Sequence, residues 1–103
     1  TWELTLLHVN DHHSHLDSAE TFLEGDQLPE GVEEERVALQ YGGFPRLVTL
    51  FDELTAESDN LLKLHAGDAL VGSKYYNLFG PSADAALMHH ICFDAVSLGS
   101  HEF

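Results

Sequence analysis

Seven residues near the start of the chain, Val9-Asn10-Asp11-His12-His13-Ser14-His15, carry one carboxylate and three imidazoles directly after an apolar run. Asp11 and His13 form an Asp-x-His pair, an oxygen donor and a nitrogen donor two residues apart. Such a pair can hold one divalent ion where the backbone leaves a strand and turns. It also occurs by chance, so a metal centre requires more ligands from elsewhere. Two later stretches offer them: His65-Ala66-Gly67-Asp68 and Gly99-Ser100-His101-Glu102-Phe103.

Each cluster follows a strand-like segment. Residues 3–9 (ELTLLHV) are apolar and too short for a stable helix, which predicts a strand buried on both faces, with His8 packed in the core. Residues 61–64 and 94–98 predict two further strands. Between the first two, Phe44, Leu47, Val48, Phe51 and Leu54 recur at helical spacing behind Gly42-Gly43, and Pro45 suits a first helical turn. Between the last two, residues 69–80 read as a loop, and Pro81-Ser82 opens a helix running to about Ile91 with Ser82 as its N-cap. His89 and His90 ride its last turn, where the helix dipole favours them structurally. From Leu16 to Tyr41 there is no helical period, only Gly25, Pro29 and Gly31 and two β-like pieces near residues 21–23 and 36–39, which predicts a long excursion or hairpin.

The fold class is therefore α/β, a β-α-β-α-β order with parallel strands and an inserted acidic loop or hairpin. Right-handed crossovers put all three strand exits on one edge of the sheet, where open α/β sheets bind ligands. Two divalent ions about 4 Å apart at such an edge can clamp the attacking and leaving oxygens of a displacement at phosphorus. Asp68, beside Gly67, is the candidate bridging carboxylate, with Asp11 and His13 on the first ion. His101 is then free to stabilise developing charge or to protonate a leaving oxygen.

Composition narrows the partners. The chain has 103 residues, about one small domain, and 44% of them are hydrophobic, enough for a core. Eighteen acidic against four basic residues give a formal charge of −14, which excludes nucleic-acid backbones and anionic membranes as partners and welcomes cations. Eight of the acids fall in residues 17–35, a solvated loop surface. No apolar run is long enough to span a membrane. The start at Thr1 reads as a mature end or an imposed boundary rather than a signal peptide. The single Cys92 cannot form an internal disulfide and reads as a small buried hydrophobe.

The blocks Leu7-His8-Val9-Asn10-Asp11-His12-His13-Ser14-His15, Gly42-Gly43-Phe44-Pro45-Arg46-Leu47, Leu64-His65-Ala66-Gly67-Asp68-Ala69-Leu70-Val71-Gly72-Ser73, Tyr76-Asn77-Leu78-Phe79-Gly80 and Asp94-Ala95-Val96-Ser97-Leu98-Gly99-Ser100-His101-Glu102-Phe103 resemble the calcineurin-like metallophosphoesterases. Within them, the order and spacing resemble the 5'-nucleotidases, and residues 65–88 look most like the bacterial NAD nucleotidase and UDP-sugar hydrolase types. The resemblance implies the N-terminal portion of an αββα sandwich and a hydrolase of the periplasm or cell surface. It implies two divalent ions, zinc foremost, with manganese, magnesium or cobalt as alternatives, and a nucleotide substrate. By position it makes Asp11 and His13 ligands of one metal, Asp68 the bridge and His101 the transition-state histidine. His12 and His15 fall at permissive positions, as loop-surface residues or supports behind the ligands.

Two departures from the family pattern stand out. Ser100 replaces an Asn whose amide oxygen holds the second metal, and a shorter hydroxyl predicts a weakened or water-filled second site. Further histidine ligands, an Asp that orients the catalytic histidine, and a C-terminal nucleotide-binding domain all fall outside residues 1–103. The chain is thus expected to be an N-terminal fragment of the catalytic domain with little activity alone. Competing expectations are a hydrolase of another ester such as thiosulfate, a degenerate metal-binding or interaction module without catalysis, and an α/β domain whose Asp and His residues merely decorate loops. The last requires three coincidences on one sheet edge.

Overall fold

The computed structural model describes residues 1–103. In chain order it comprises β1 (Thr5–Val9), β2 (Ala19–Glu24), β3 (Arg36–Tyr41), α1 (Phe44–Ala56), β4 (Leu61–His65), α2 (Lys74–Phe79), α3 (Ser82–Ile91) and β5 (Ala95–Val96), followed by a 3-10 turn at Ser100–Glu102. β4 is central in a three-stranded parallel sheet ordered β1-β4-β5, and β2 and β3 form a separate antiparallel pair. The mixed α/β order, the parallel sheet and the acidic hairpin all agree with the sequence reading.

Helical periodicity explains where the core lies. The α1 stripe points Phe44 and Phe51 inward, 2% and 4% exposed, against Ile91 of α3 and Leu16 of the loop before β2. Leu7 and Val9 of β1 pack onto this cluster from the sheet. Only one face of the sheet is covered in this way. Leu6 and Leu62, partners across β1 and β4, remain 55% and 39% exposed, and His8 beside them is exposed. The expectation of a strand buried on both faces, with His8 in the core, is therefore corrected. Alternate residues of a strand face opposite ways, and α1 and α3 supply apolar partners to one side alone.

Local capping accounts for three other differences. Residues 69–80 are not all loop: Ser73 accepts a hydrogen bond from the Tyr75 amide at 3.2 Å and starts α2. Ser82 is the first residue of α3 rather than its cap, and its hydroxyl donates back to the Phe79 carbonyl at 2.6 Å. Cys92 is exposed: it closes α3 in a left-handed conformation (φ 56°), and its thiol donates back to the His89 carbonyl at 3.1 Å. The third strand shrinks from the expected residues 94–98 to Ala95–Val96.

Candidate metal centre

The parallel ladder between β1 and β4 continues past both strands into their exit loops. Ala66 N donates to Val9 O at 2.9 Å, Asp11 N to Gly67 O at 2.9 Å, His13 N to Asp68 O at 3.2 Å and Ser14 N to Ala69 O at 2.8 Å. These bonds lock the two loops side by side. They also demand unusual backbone: Asp11, His13, Ser14 and Asp68 all have positive φ, between 45° and 53°. Non-glycine residues rarely adopt it, and such positions cluster at functional sites.

The third exit loop crosses directly over the second. A Cβ at Gly67 would lie 2.7 Å from Gly99 N, and one at Gly99 would lie 2.4 Å from Asp68 N. Both positions require glycine for this close approach. Glu102 then clamps the crossing: Oε2 accepts from the amides of Gly99 (2.6 Å) and Asp68 (2.9 Å), and Oε1 from those of Ala69 (2.8 Å) and Leu70 (3.1 Å). Burial pushes its carboxyl pKa up, but the four amides, Gly99's first, outweigh that and hold it below the ordinary carboxylate range.

Together the loops bring one donor atom each from His13, Asp68 and His101 within 4.8 Å of one another. Asp11 adjoins this triad, with Oδ1 3.5 Å from His13 Nε2. The His13 and His101 rings meet edge to face at 4.9 Å. Asp68 Oδ1 accepts from the His101 amide at 2.9 Å and pairs with His101 Nδ1 at 3.0 Å, and the Ser100 hydroxyl donates to it at 3.3 Å. The His101 amide is the main reason that the Asp68 carboxyl lies below its ordinary value, working against partial burial. Two imidazoles and a carboxylate held this close are a chemically apt donor set for a divalent cation, since each offers a lone pair and Asp68 stays ionised. All five residues singled out in the sequence, Asp11, His13, Asp68, Ser100 and His101, thus lie on one rim.

The remaining histidines separate clearly. His15 is exposed, with Nδ1 3.2 Å from the His12 carbonyl. His12 turns inward and uses both ring nitrogens, Nδ1 toward His65 Nε2 at 2.9 Å and Nε2 toward Asp84 Oδ1 at 2.9 Å, which leaves no lone pair for a metal. The sequence reading missed Glu102, His65 and Asp84. Glu102 had a signal in its motif, whereas nothing in the sequence pairs Asp84 with a loop 70 residues earlier.

Comparison with known proteins finds likeness along nearly the whole chain. The family described as calcineurin-like phosphoesterase matches residues 4–103. A probable 5'-nucleotidase of Treponema pallidum (strain Nichols) is 49% identical over 99% of this chain, which spans 16% of that protein. The solved structure of Haemophilus influenzae NAD nucleotidase superposes with a TM-score of 0.81 at 40% identity, over 97% of this chain and 16% of that one. That of a 5'-nucleotidase precursor from Thermus thermophilus gives 0.76 at 38% identity, over 97% and 18%. The chain therefore spans about a sixth of the length of these relatives, and it belongs to the calcineurin-like phosphoesterase family.

Proposed function

We propose that this chain supplies the first part of a two-metal site that hydrolyses phosphate esters of nucleotides, by a 5'-nucleotidase or nucleotide diphosphatase reaction. One observation carries the reading: donors from three separate strand ends, on His13, Asp68 and His101, converge within 4.8 Å. Imidazole nitrogen with carboxylate oxygen suits zinc best, with manganese, cobalt or magnesium as alternatives. Asp11 and His13 are assigned to one ion, Asp68 to the bridge and Ser100 to a weak contact on the second. The relatives named 5'-nucleotidase and NAD nucleotidase support the substrate class. Metal ions held here would polarise a phosphoryl oxygen and lower the pKa of a bound water.

The chain's own residues account for the rest. His101 keeps Nδ1 on Asp68 Oδ1 at 3.0 Å, and no other group binds its Nε2. With Nδ1–H donated to Asp68, the neutral ring offers a lone pair at Nε2, and only the imidazolium carries a proton there, which can then stabilise a phosphoryl oxygen or pass to the leaving oxygen. Asp68 fixes that ring through two contacts, to its amide and to Nδ1.

Residues 1–103 are read as the N-terminal part of a larger catalytic domain, supported by the uncovered apolar face at Leu6 and Leu62 and by the longer relatives. The same reading assigns the protein to the periplasm or cell surface. No helix is long and apolar enough to cross a membrane. The test is metal analysis of the full-length protein, with nucleotide hydrolysis assayed before and after chelation. Bound divalent ion, activity lost on chelation and activity restored by zinc or manganese are expected. A full-length protein that binds no divalent ion through Asp11, His13 and Asp68 would overturn the reading. Replacing Ser100→Asn sharpens it: tighter second-metal binding and faster turnover are expected, and no gain would favour a non-catalytic binding module.

A further inference from the structure

Behind the rim lies a polar cluster that supplies none of the assigned ligands. Side chains of residues 11–14 alternate in direction. Asp11 and His13 face outward, with side chains 53% and 29% exposed, whereas the His12 side chain is 10% exposed and Ser14 is fully buried. Both inward groups end on one buried carboxylate. Asp84, in the first turn of α3, meets His12 Nε2 at 2.9 Å through Oδ1 and the Ser14 hydroxyl at 2.8 Å through Oδ2.

Hydrogen-bond chemistry gives the cluster a direction. The Gly67 amide can only donate, so His65 Nδ1, at 3.1 Å, accepts. Neutral His65 then carries its proton on Nε2 and donates to His12 Nδ1 at 2.9 Å. His12 in turn carries its proton on Nε2 and donates to Asp84. Burial first, and the neighbouring His12 second, lower the pKa of His65 and agree with the neutral form. The chain of bonds runs from the loop that bears Asp68, through β4, to the loop that bears Asp11 and His13, and ends on α3. No buried side-chain polar atom is left without a partner.

We propose that Asp84 is a positioning residue for the ligand loop. By gripping residues 12 and 14 from beneath, it holds the left-handed backbone at Asp11, His13 and Ser14 and so sets the direction in which Asp11 and His13 leave the rim. Left-handed backbone at three non-glycine residues persists only where the surroundings over-determine it. Two bonds to one carboxylate on a packed helix, together with the ladder to the Asp68 loop, supply that constraint. The effect on metal binding rests on the functional reading above, but the effect on the loop does not.

The experiment compares Asp84→Ala, Asp84→Asn and Ser14→Ala in the full-length protein. Hydrogen exchange is followed in the chelated, metal-free state, and affinity for zinc alone is measured by competition with a chromophoric chelator. Asp84→Ala is expected to accelerate exchange at His13 and Ser14 on the order of tenfold while β4 stays protected, and to weaken zinc binding about 10- to 100-fold. Asp84→Asn can still accept from His12 and can donate to the Ser14 oxygen, so it should stay within about threefold of the parent on both measures. Ser14→Ala, which keeps one of the two grips, should fall between them and serves if Asp84→Ala does not fold.

Unchanged loop exchange in Asp84→Ala, or equal acceleration in β4 and the loop, overturns the proposal. If Asp84→Ala does not fold, the same two results in Ser14→Ala overturn it. A parent protein that binds no zinc removes the metal reading while the exchange measurement still decides the grip.

Discussion

The acidic hairpin and the loop rim use the same side-chain chemistry to opposite ends. Eight carboxylates fall in residues 17–35. Asp17 pairs with Lys74 at 2.7 Å and Glu24 with Arg36 at 3.1 Å, and the other six have no side-chain partner and face solvent. At the rim and in the cluster behind it, Asp68, Glu102 and Asp84 each collect two or more donors, four of them backbone amides in the case of Glu102. Density of negative charge therefore does not mark the site. Convergence of fixed donors on a carboxylate does, because only a held carboxylate presents its lone pairs in one direction.

Four variants test that contrast, and the largest effect is expected at the rim. Asp68→Ala should lower nucleotide hydrolysis by the full-length protein by more than about a hundredfold, beyond the loss typical of a residue that only supports a ligand. Retained turnover would place the chemistry elsewhere. Gly99→Ala should destabilise by about 3 kcal/mol, the upper range for overpacking, since its Cβ would clash with Asp68 N, a backbone atom rather than the end of a flexible side chain. Thermal unfolding measures it, and a shift below about 1 kcal/mol would mean that the crossing of the two loops is loose.

Glu102→Gln keeps the shape but removes the charge and one acceptor, so a cost of about 1–2 kcal/mol is expected. Its pH profile carries a sign. The folded carboxyl lies below its ordinary value of 4.5, so its stabilisation is complete above pH 4.5 and is lost as pH falls through the folded value. The substitution should flatten that acid limb of the unfolding profile. His65 adds a separate window. Its folded pKa lies below the ordinary 6.5, so the unfolded chain takes up the proton first and stability begins to fall as pH drops below 6.5. The smallest effect is expected in the hairpin: Glu33→Gln, Glu34→Gln and Glu35→Gln together should change stability by less than about 0.5 kcal/mol, as exposed unpaired charges do. A larger change would show that the hairpin acids have partners of their own.

Periodicity and spacing by themselves determined a good deal of this protein. The stripe from Phe44 to Leu54 specifies α1, the β-like pieces specify the hairpin, and three polar clusters after three apolar runs specify which residues meet, because parallel crossovers leave little freedom in where strand ends go. Only the tertiary structure decided burial and partnership. His8 and Leu6 are open and His65 is buried, although all three sit in short apolar strands, because burial depends on which face α1 and α3 cover. α2 is too short for a period to announce it, and its Ser73 cap lies in a polar stretch. The grip of Asp84 on His12 and Ser14 joins residues 72 and 70 positions apart. Such contacts are made by the docking of a helix onto a sheet, and local sequence carries no record of that docking.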